Sequence, residues 1–166
     1  MRLPFLLLCS LLAGPPFASL AQPAPEKKNW FEDPFFQVSS ALADCPVPQG
    51  PLLTYDEQRQ EAHGRIERGT SCWLAGKCRD SNAYRYDKSL AAPVAAALKA
   101  VPGIETSSVW VIVQRRWVFL QGCVGSPELL TQLERAAQAV PEVEVVVPML
   151  QIGTTQTPRY PTAEKP

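Results

Sequence analysis

The sequence predicts a small α+β sandwich over residues 87–152, with the element order α-β-β-α-β and two helices on one face of a mixed sheet. Three observations lead to this fold class: an apolar segment interrupted at its centre by polar residues, a helical hydrophobic repeat on each side of it, and a final apolar strand. Four other parts complete the chain: a signal peptide (1–21), a Pro-rich linker with an aromatic cluster (22–50), a helical, disulfide-tied extension (51–86) and a disordered tail (153–166).

The apolar segment Ser108–Val124 consists mainly of β-branched and aromatic residues, which favour strands. Its polar centre predicts a hairpin that turns at Arg115-Arg116. Because side chains alternate along a strand, this register places the aromatic residues and a cysteine on one face, namely Trp110, Ile112, Trp117, Phe119 and Cys123. The other face is aliphatic and is expected to meet the helices: Val109, Val111, Val113, Val118, Leu120 and Val124.

Helical repeats flank the hairpin. The first predicts a helix from Asp87 to about Ala100, with a buried repeat formed by Leu90, Val94, Leu98 and Val101. Ser126 is the predicted N-cap of the second helix, with Pro127 at the first helical position. Its buried stripe is Leu129, Leu133, Ala136 or Ala137, and Val140. A last strand is predicted over residues 143–150.

Residues 1–21 have the features of a secretory signal peptide. Arg2 provides the positive charge, residues 3–12 the apolar core, and Ser19-Leu20-Ala21 a cleavage site before Gln22. We therefore expect a soluble, exported mature chain, the alternative being a retained membrane anchor. In the following linker, residues 30–36 contain four aromatic side chains, which disordered linkers usually lack. These side chains are expected to cover a face of the chain's own sheet or to insert into a membrane interface or a partner's groove.

Cleavage would remove Cys9 and leave four cysteines in an oxidising compartment, an even number that indicates disulfides. Three pairings are possible, and each ties Cys123 to the N-terminal region. We prefer Cys72 with Cys78 and Cys45 with Cys123. The short Cys72–Cys78 loop would then present an apolar tip that is expected to dock, formed by Trp73 and Leu74.

The extension contains one predicted helix. Thr54 and Glu57 form a capping-box pattern at its start, and Gly69 is expected to end it. The helix is highly charged and is expected to be mostly solvated, with a thin apolar stripe formed by Tyr55, Ala62 and Ile66. His63, the only histidine of the chain, is interpreted as a surface residue, because no nucleophile or carboxylate partner is identifiable.

Composition excludes several function classes. A net charge of zero argues against nucleic-acid binding, which requires a basic surface. The cysteine spacing does not fit zinc ribbons, thioredoxin-type redox pairs or haem attachment. No catalytic residue, cofactor, metal or small-molecule substrate is therefore predicted, and an enzyme is not expected.

Three short motifs carry a resemblance to a known family: residues 101–104 (Val-Pro-Gly-Ile), 120–124 (Leu-Gln-Gly-Cys-Val) and 140–145 (Val-Pro-Glu-Val-Glu-Val). The segment resembles a single BON domain, a family named for bacterial osmotically inducible periplasmic and nodulation proteins. Gly103 and Gly122 match its glycines. The resemblance implies a non-enzymatic cell-envelope module that binds phospholipid and supports membrane integrity under osmotic stress. The mature chain is accordingly expected in the periplasm.

Two functions remain open from the sequence. In the first, the domain binds a phospholipid membrane surface, through a contact surface formed by Arg115, Arg116, Trp117, Trp110 and Phe119. In the second, it is a protein-interaction or structural module of a secretion or envelope assembly. Positive and negative charges balance within the domain, so a purely polybasic lipid contact is excluded.

Overall fold

A computed structural model describes residues 25–163, and the predicted signal peptide therefore lies outside the described residues. The strands are β1 (Phe35–Ser40), β2 (Ser108–Gln114), β3 (Trp117–Val124) and β4 (Val145–Ile152). The α-helices are α1 (Tyr55–Leu74), α2 (Asp87–Lys99) and α3 (Pro127–Gln138), with short 3₁₀ helices at Ala83–Tyr86 and Ile104–Thr106. Within residues 25–163, no helix is both long and apolar enough to span a bilayer.

The four strands form one mixed sheet in the order β1-β2-β3-β4. The first three are antiparallel neighbours, whereas β4 runs parallel to β3 because α3 crosses between them. The α+β class and the mixed sheet are confirmed. The hairpin has the predicted register, with Gln114 opposite Trp117 and Ser108 opposite Cys123.

The hydrophobic core lies between the helices and the aliphatic face of the hairpin. All six predicted aliphatic residues of that face are fully buried. They form one cluster with Leu90, Val94 and Leu98 of α2 and Leu129, Leu133 and Ala137 of α3. Both helices therefore cover the same sheet face, as the hydrophobic spacing predicted. The Ser126 side chain accepts a hydrogen bond from the N–H of Leu129, which confirms the predicted cap.

The predicted linker contributes β1, a strand that the sequence analysis did not identify. β1 pairs with β2, and its register shifts between Gln37 and Ser39. Phe36 and Val38 pack against the core, whereas Phe35 is 36% exposed. The aromatic cluster is thus divided between the core and the surface. Pro34 and the shifted register obscure the two-residue alternation from which a strand is recognised.

Helix α1 begins with the predicted capping box, in which Thr54 and Glu57 bond each other's backbone N–H groups. It does not end at Gly69 but continues for five more residues to Leu74. Gly69 is buried because the helix packs closely there: a Cβ at this position would lie 2.5 Å from Oδ1 of Asn82. Glycine at this position therefore allows the helix to pack closely against Asn82 and does not end the helix.

Both preferred disulfides are present, Cys45–Cys123 and Cys72–Cys78. The first attaches the linker to the aromatic face of β3. The tail, which was expected to be disordered, is ordered in part: residues 160–163 form hydrogen bonds and a β-bridge with residues 46–49. Tyr160 is buried, and its hydroxyl donates a hydrogen bond of 2.8 Å to the carbonyl of Pro46.

Candidate functional site

The sheet face opposite α2 and α3 carries the predicted contact residues. Cys123 is fully buried there under its disulfide, and Gly50 of the linker lies against the ring of Phe35. Trp110, Trp117 and Phe119 are half-buried. The linker therefore covers only part of this face, and aromatic side chains remain partly open to solvent beside it.

Arg115 and Trp117 meet at the tip of the hairpin. The guanidinium carbon of Arg115 lies 4.4 Å from the ring centroid of Trp117, within the range of a cation–π contact. Phe119 adjoins Trp117, with the ring centroids 6.4 Å apart. The register also places Val145 and Val147 of β4 next to these two rings. The tip thus combines one cation with a half-buried apolar platform.

Arg116 does not belong to this surface. Only 8% of it is exposed, and its Nε donates a 2.8 Å hydrogen bond to the carbonyl of Glu142. Its guanidinium also forms a 3.2 Å ion pair with the Glu142 carboxylate and lies near the Tyr86 ring. Arg116, which was predicted as a contact residue, is thus largely buried, and its charge is paired inside the protein. The physical reason is the turn, which directs successive side chains differently.

The turn depends on Asp87, a residue that the sequence analysis used only as a helix start. Arg115 and Arg116 both have positive φ, 56° and 64°, which arginine rarely adopts. The Asp87 carboxylate accepts hydrogen bonds from both backbone N–H groups, at 2.7 and 2.8 Å. These two bonds stabilise a tight turn without the usual asparagine or glycine. No local sequence signal marks a partner 28 residues away.

Asp87 is almost completely buried, and this burial raises its pKa from 3.8 to about 6, although the two turn N–H groups oppose the shift. Because the folded state then holds the proton more tightly than the unfolded state, stability falls as pH rises from about 4 to 6. We expect this carboxyl alone to lower the free energy of unfolding by up to about 3 kcal/mol over that range. Urea denaturation at several pH values measures it.

Asp87→Asn is the reference for this prediction, because the amide does not titrate. The difference in stability between the wild type and the variant should change between pH 4 and 6 and stay constant above pH 7. NMR titration of the Asp87 carboxyl carbon gives the pKa directly. A midpoint near 4 would contradict the prediction.

A second buried polar cluster joins α1 to the hairpin. The guanidinium of Arg65 donates to both carboxylate oxygens of Asp33, at 2.8 and 2.6 Å, and lies between the rings of Phe31 and Tyr84. Gln114 donates a 2.6 Å hydrogen bond to the same carboxylate. The sequence analysis missed this cluster because its members come from separate segments of the chain. It fixes the extension beside the hairpin tip.

His63 lies exposed on α1, with Nε2 3.6 Å from the carboxylate of Glu67. Within residues 25–163, no group of three His, Cys, Asp or Glu side chains is arranged to hold a metal ion.

Comparison with known proteins identifies the segment that contains α2, the hairpin, α3 and β4. Residues 86–154 match the family model described as BON domain. The match contains a single copy of the domain. Its boundaries agree with the predicted ones within two residues at each end. BON domains form a family of envelope-associated, phospholipid-binding modules. No curated protein and no solved structure matches the chain.

Both glycines of the BON motif have positive φ. Gly103 has φ 89° and precedes the short 3₁₀ helix that leads into β2. Gly122 has φ 122° and lies close to the backbone of β2, so a Cβ there would lie 2.1 Å from the carbonyl oxygen of Ser108. The motif at Gly122 therefore reflects a steric requirement of the sheet.

Proposed function

We propose that this chain is a non-enzymatic periplasmic protein whose BON domain binds phospholipid surfaces and thereby supports membrane integrity under osmotic stress. The domain family supports the ligand class. The contact of Arg115 with Trp117 at the hairpin tip supports the location. The exposed position of His63 gives no reason to add catalysis to this role.

The chemistry of the tip suits the boundary between headgroups and acyl chains. A guanidinium binds phosphate oxygens through parallel N–H bonds, and Trp117 beneath it is of the residue type that prefers the headgroup level. Phe119, Val145 and Val147 would extend the apolar contact toward the acyl chains. Arg116, neutralised by Glu142, supports the turn from behind and takes no part in this contact.

We expect Arg115→Asn to weaken binding to vesicles that contain phosphatidylglycerol by about three- to tenfold, since one cation near an anionic surface contributes about 1 kcal/mol. Asparagine tolerates positive φ, so the turn should persist. Co-sedimentation of residues 22–166 with vesicles measures the affinity, and binding to pure phosphatidylcholine should change less.

Arg135→Gln is the matched control, because Arg135 is exposed on α3, which covers the opposite face of the sheet. This variant should bind like the wild type. If the wild type binds neither kind of vesicle, the proposed function fails; recovery of one dominant envelope protein by cross-linking would then favour the protein-interaction alternative. For the stress role, a gene encoding Arg115→Asn should restore osmotic tolerance to a deletion strain less well than the wild-type gene.

A further inference from the structure

A cleft of about 610 Å³ lies between the C-terminal end of α1 and the start of α2, and this volume is in the range of small-molecule sites. Its lining includes Trp73, Arg79, Asp80, Ser81, Arg85 and Tyr86. These residues belong to the extension, and only Tyr86 falls within the segment 86–154 that matches the BON model. The cleft shares no residue with the contact surface at the hairpin tip.

The Cys72–Cys78 disulfide positions part of this cleft. Trp73 and Arg79 directly follow the two bonded cysteines, whose Cα atoms are 5.5 Å apart, so the bond holds their backbones close together. Trp73 and Leu74, which were expected to dock, are 49% and 73% exposed. Trp73 lines the cleft, where its ring offers a ligand a flat apolar surface and one N–H donor.

The Tyr86 hydroxyl has a proton to donate at the cleft. Its oxygen accepts hydrogen bonds from the backbone N–H groups of Arg79 and Asp80, at 3.0 and 2.9 Å. Because the oxygen is the acceptor in both bonds, its own proton remains free, and no acceptor for it lies within hydrogen-bonding distance among residues 25–163. The ring packs against the core, with the Arg116 guanidinium carbon 5.2 Å from its centroid. The hydroxyl is therefore held in place as a donor.

The charges that line the cleft favour an anion. Arg79 and Arg85 line it together with a single carboxylate, that of Asp80. Arg79 has no ion-pair partner within the described part of the chain. Arg85 contacts Asp80 through one nitrogen at 3.4 Å, and its side chain is 69% exposed, so most of its N–H groups stay available. The lining carries a net positive charge.

Carboxylates in the surrounding sequence do not offset this charge. Residues 68–79 contain no carboxylate, and Glu67 lies six residues before Trp73, about 9 Å along the axis of α1. Both oxygens of Asp87 accept hydrogen bonds from the hairpin turn, and Glu32 pairs with Lys88. The cleft therefore remains positive when its neighbours are counted.

The donors fit a phosphate monoester better than other small ligands. A cation would meet only Asp80, whose Oδ1 already accepts bonds from Arg85 and from the N–H of Asn82, each at 3.4 Å. A carboxylate has two oxygens, whereas a phosphate monoester presents three strong acceptor oxygens and up to two negative charges. Arginine matches phosphate oxygens with parallel N–H bonds. The volume leaves room for the esterified group.

We propose that this cleft binds a phosphate monoester. Arg79 and Arg85 bind its terminal oxygens, the Tyr86 hydroxyl donates to one of them, and the esterified group lies against Trp73. The site goes beyond the proposed function, because the phosphate can belong to a soluble molecule or to a lipid headgroup, and both present the same terminal oxygens.

The test is an NMR titration of residues 22–166 with glycerol 3-phosphate, followed through the backbone amide signals. The signals of Arg79, Asp80 and Tyr86 should shift and saturate, because these residues line the cleft. Arg79→Gln/Arg85→Gln is expected to weaken binding about tenfold or more, since it removes both cations and their charge-assisted hydrogen bonds. Glycerol, which lacks the phosphate, should cause no saturable shift.

Arg59→Gln is the matched control, because Arg59 is an exposed arginine of α1 that lies 14 residues before Trp73, about 21 Å along the helix axis. This variant should bind glycerol 3-phosphate like the wild type. Thermal unfolding checks that the double variant keeps its fold, as expected for substitutions at the exposed positions of Arg79 and Arg85.

Vesicles distinguish the two sources of the phosphate. If phosphatidylcholine vesicles that contain phosphatidic acid bind the wild type more tightly than the double variant, the cleft takes a lipid headgroup; if they bind both proteins equally, its ligand is a soluble phosphate monoester. Absence of a saturable shift with glycerol 3-phosphate, or an equal shift with glycerol, would overturn the proposal. A wild type that binds glycerol 3-phosphate but no vesicles would contradict the proposed function and leave this site in place.

Discussion

Removal of the Cys45–Cys123 disulfide is expected to lower the free energy of unfolding by about 4–5 kcal/mol. The bond closes a loop of 78 residues, and in the chain-entropy model a long loop restricts the unfolded chain strongly. It also holds the linker against the aromatic face of β3, where Cys123 is fully buried. Urea denaturation of Cys45→Ala/Cys123→Ala against the wild type measures the loss.

The second disulfide provides an internal control. Cys72 and Cys78 are only 6 residues apart, so the same model gives about 2 kcal/mol for Cys72→Ala/Cys78→Ala. The two variants remove the same kind of bond and differ mainly in loop length. Equal losses would contradict the entropic explanation, and a larger loss for the short loop would show that Cys72–Cys78 has a structural role beyond the end of α1.

The hairpin shows what an amino-acid pattern can establish. A period of two and a polar centre were sufficient to predict its faces and its register, because a shift by one residue would have turned the valines away from the helices. The pattern did not reveal why the turn forms at two arginines. That explanation requires Asp87, which becomes a neighbour of the turn only when α2 packs against the sheet.

Helix α1 shows where the same reasoning fails. The apolar stripe predicted along it does not mark its buried side, because Arg65 lies inside and Ile66 outside. Arginine is buried there because Asp33 neutralises it and two aromatic rings cover it. These partners come from distant segments, so no periodicity within the helix could have predicted its orientation.

The sequence pattern predicted only some side-chain positions of the candidate contact surface, because the others depend on structure that the pattern does not contain. Alternation along β3 correctly grouped Trp117 with Phe119, whereas the direction of each arginine depended on backbone angles in the turn. Arg115 lies over Trp117, and Arg116 turns inward to Glu142. Neighbouring residues of identical type therefore have different surroundings: Arg115 stacks on an aromatic ring, and Arg116 is paired inside the fold.

Gly122→Ala is expected to destabilise the protein by about 3–5 kcal/mol, the range of severe steric and backbone strain. An added Cβ would lie 2.1 Å from the carbonyl oxygen of Ser108 and 3.2 Å from the Trp110 ring. The first contact is with the backbone of the paired strand, which cannot move without breaking the sheet. The φ of 122° adds strain for any residue with a side chain.

Gly125→Ala is the matched control for this substitution, three residues farther along the chain. A Cβ at Gly125 would meet no atom within 4 Å, and no positive φ occurs there. Its stability should stay within about 0.5 kcal/mol of the wild type. Thermal and urea denaturation compare the two variants. A mild effect at Gly122 would mean that β2 and β3 can separate locally, and that the BON-motif glycine is not required by the close approach of the two strands.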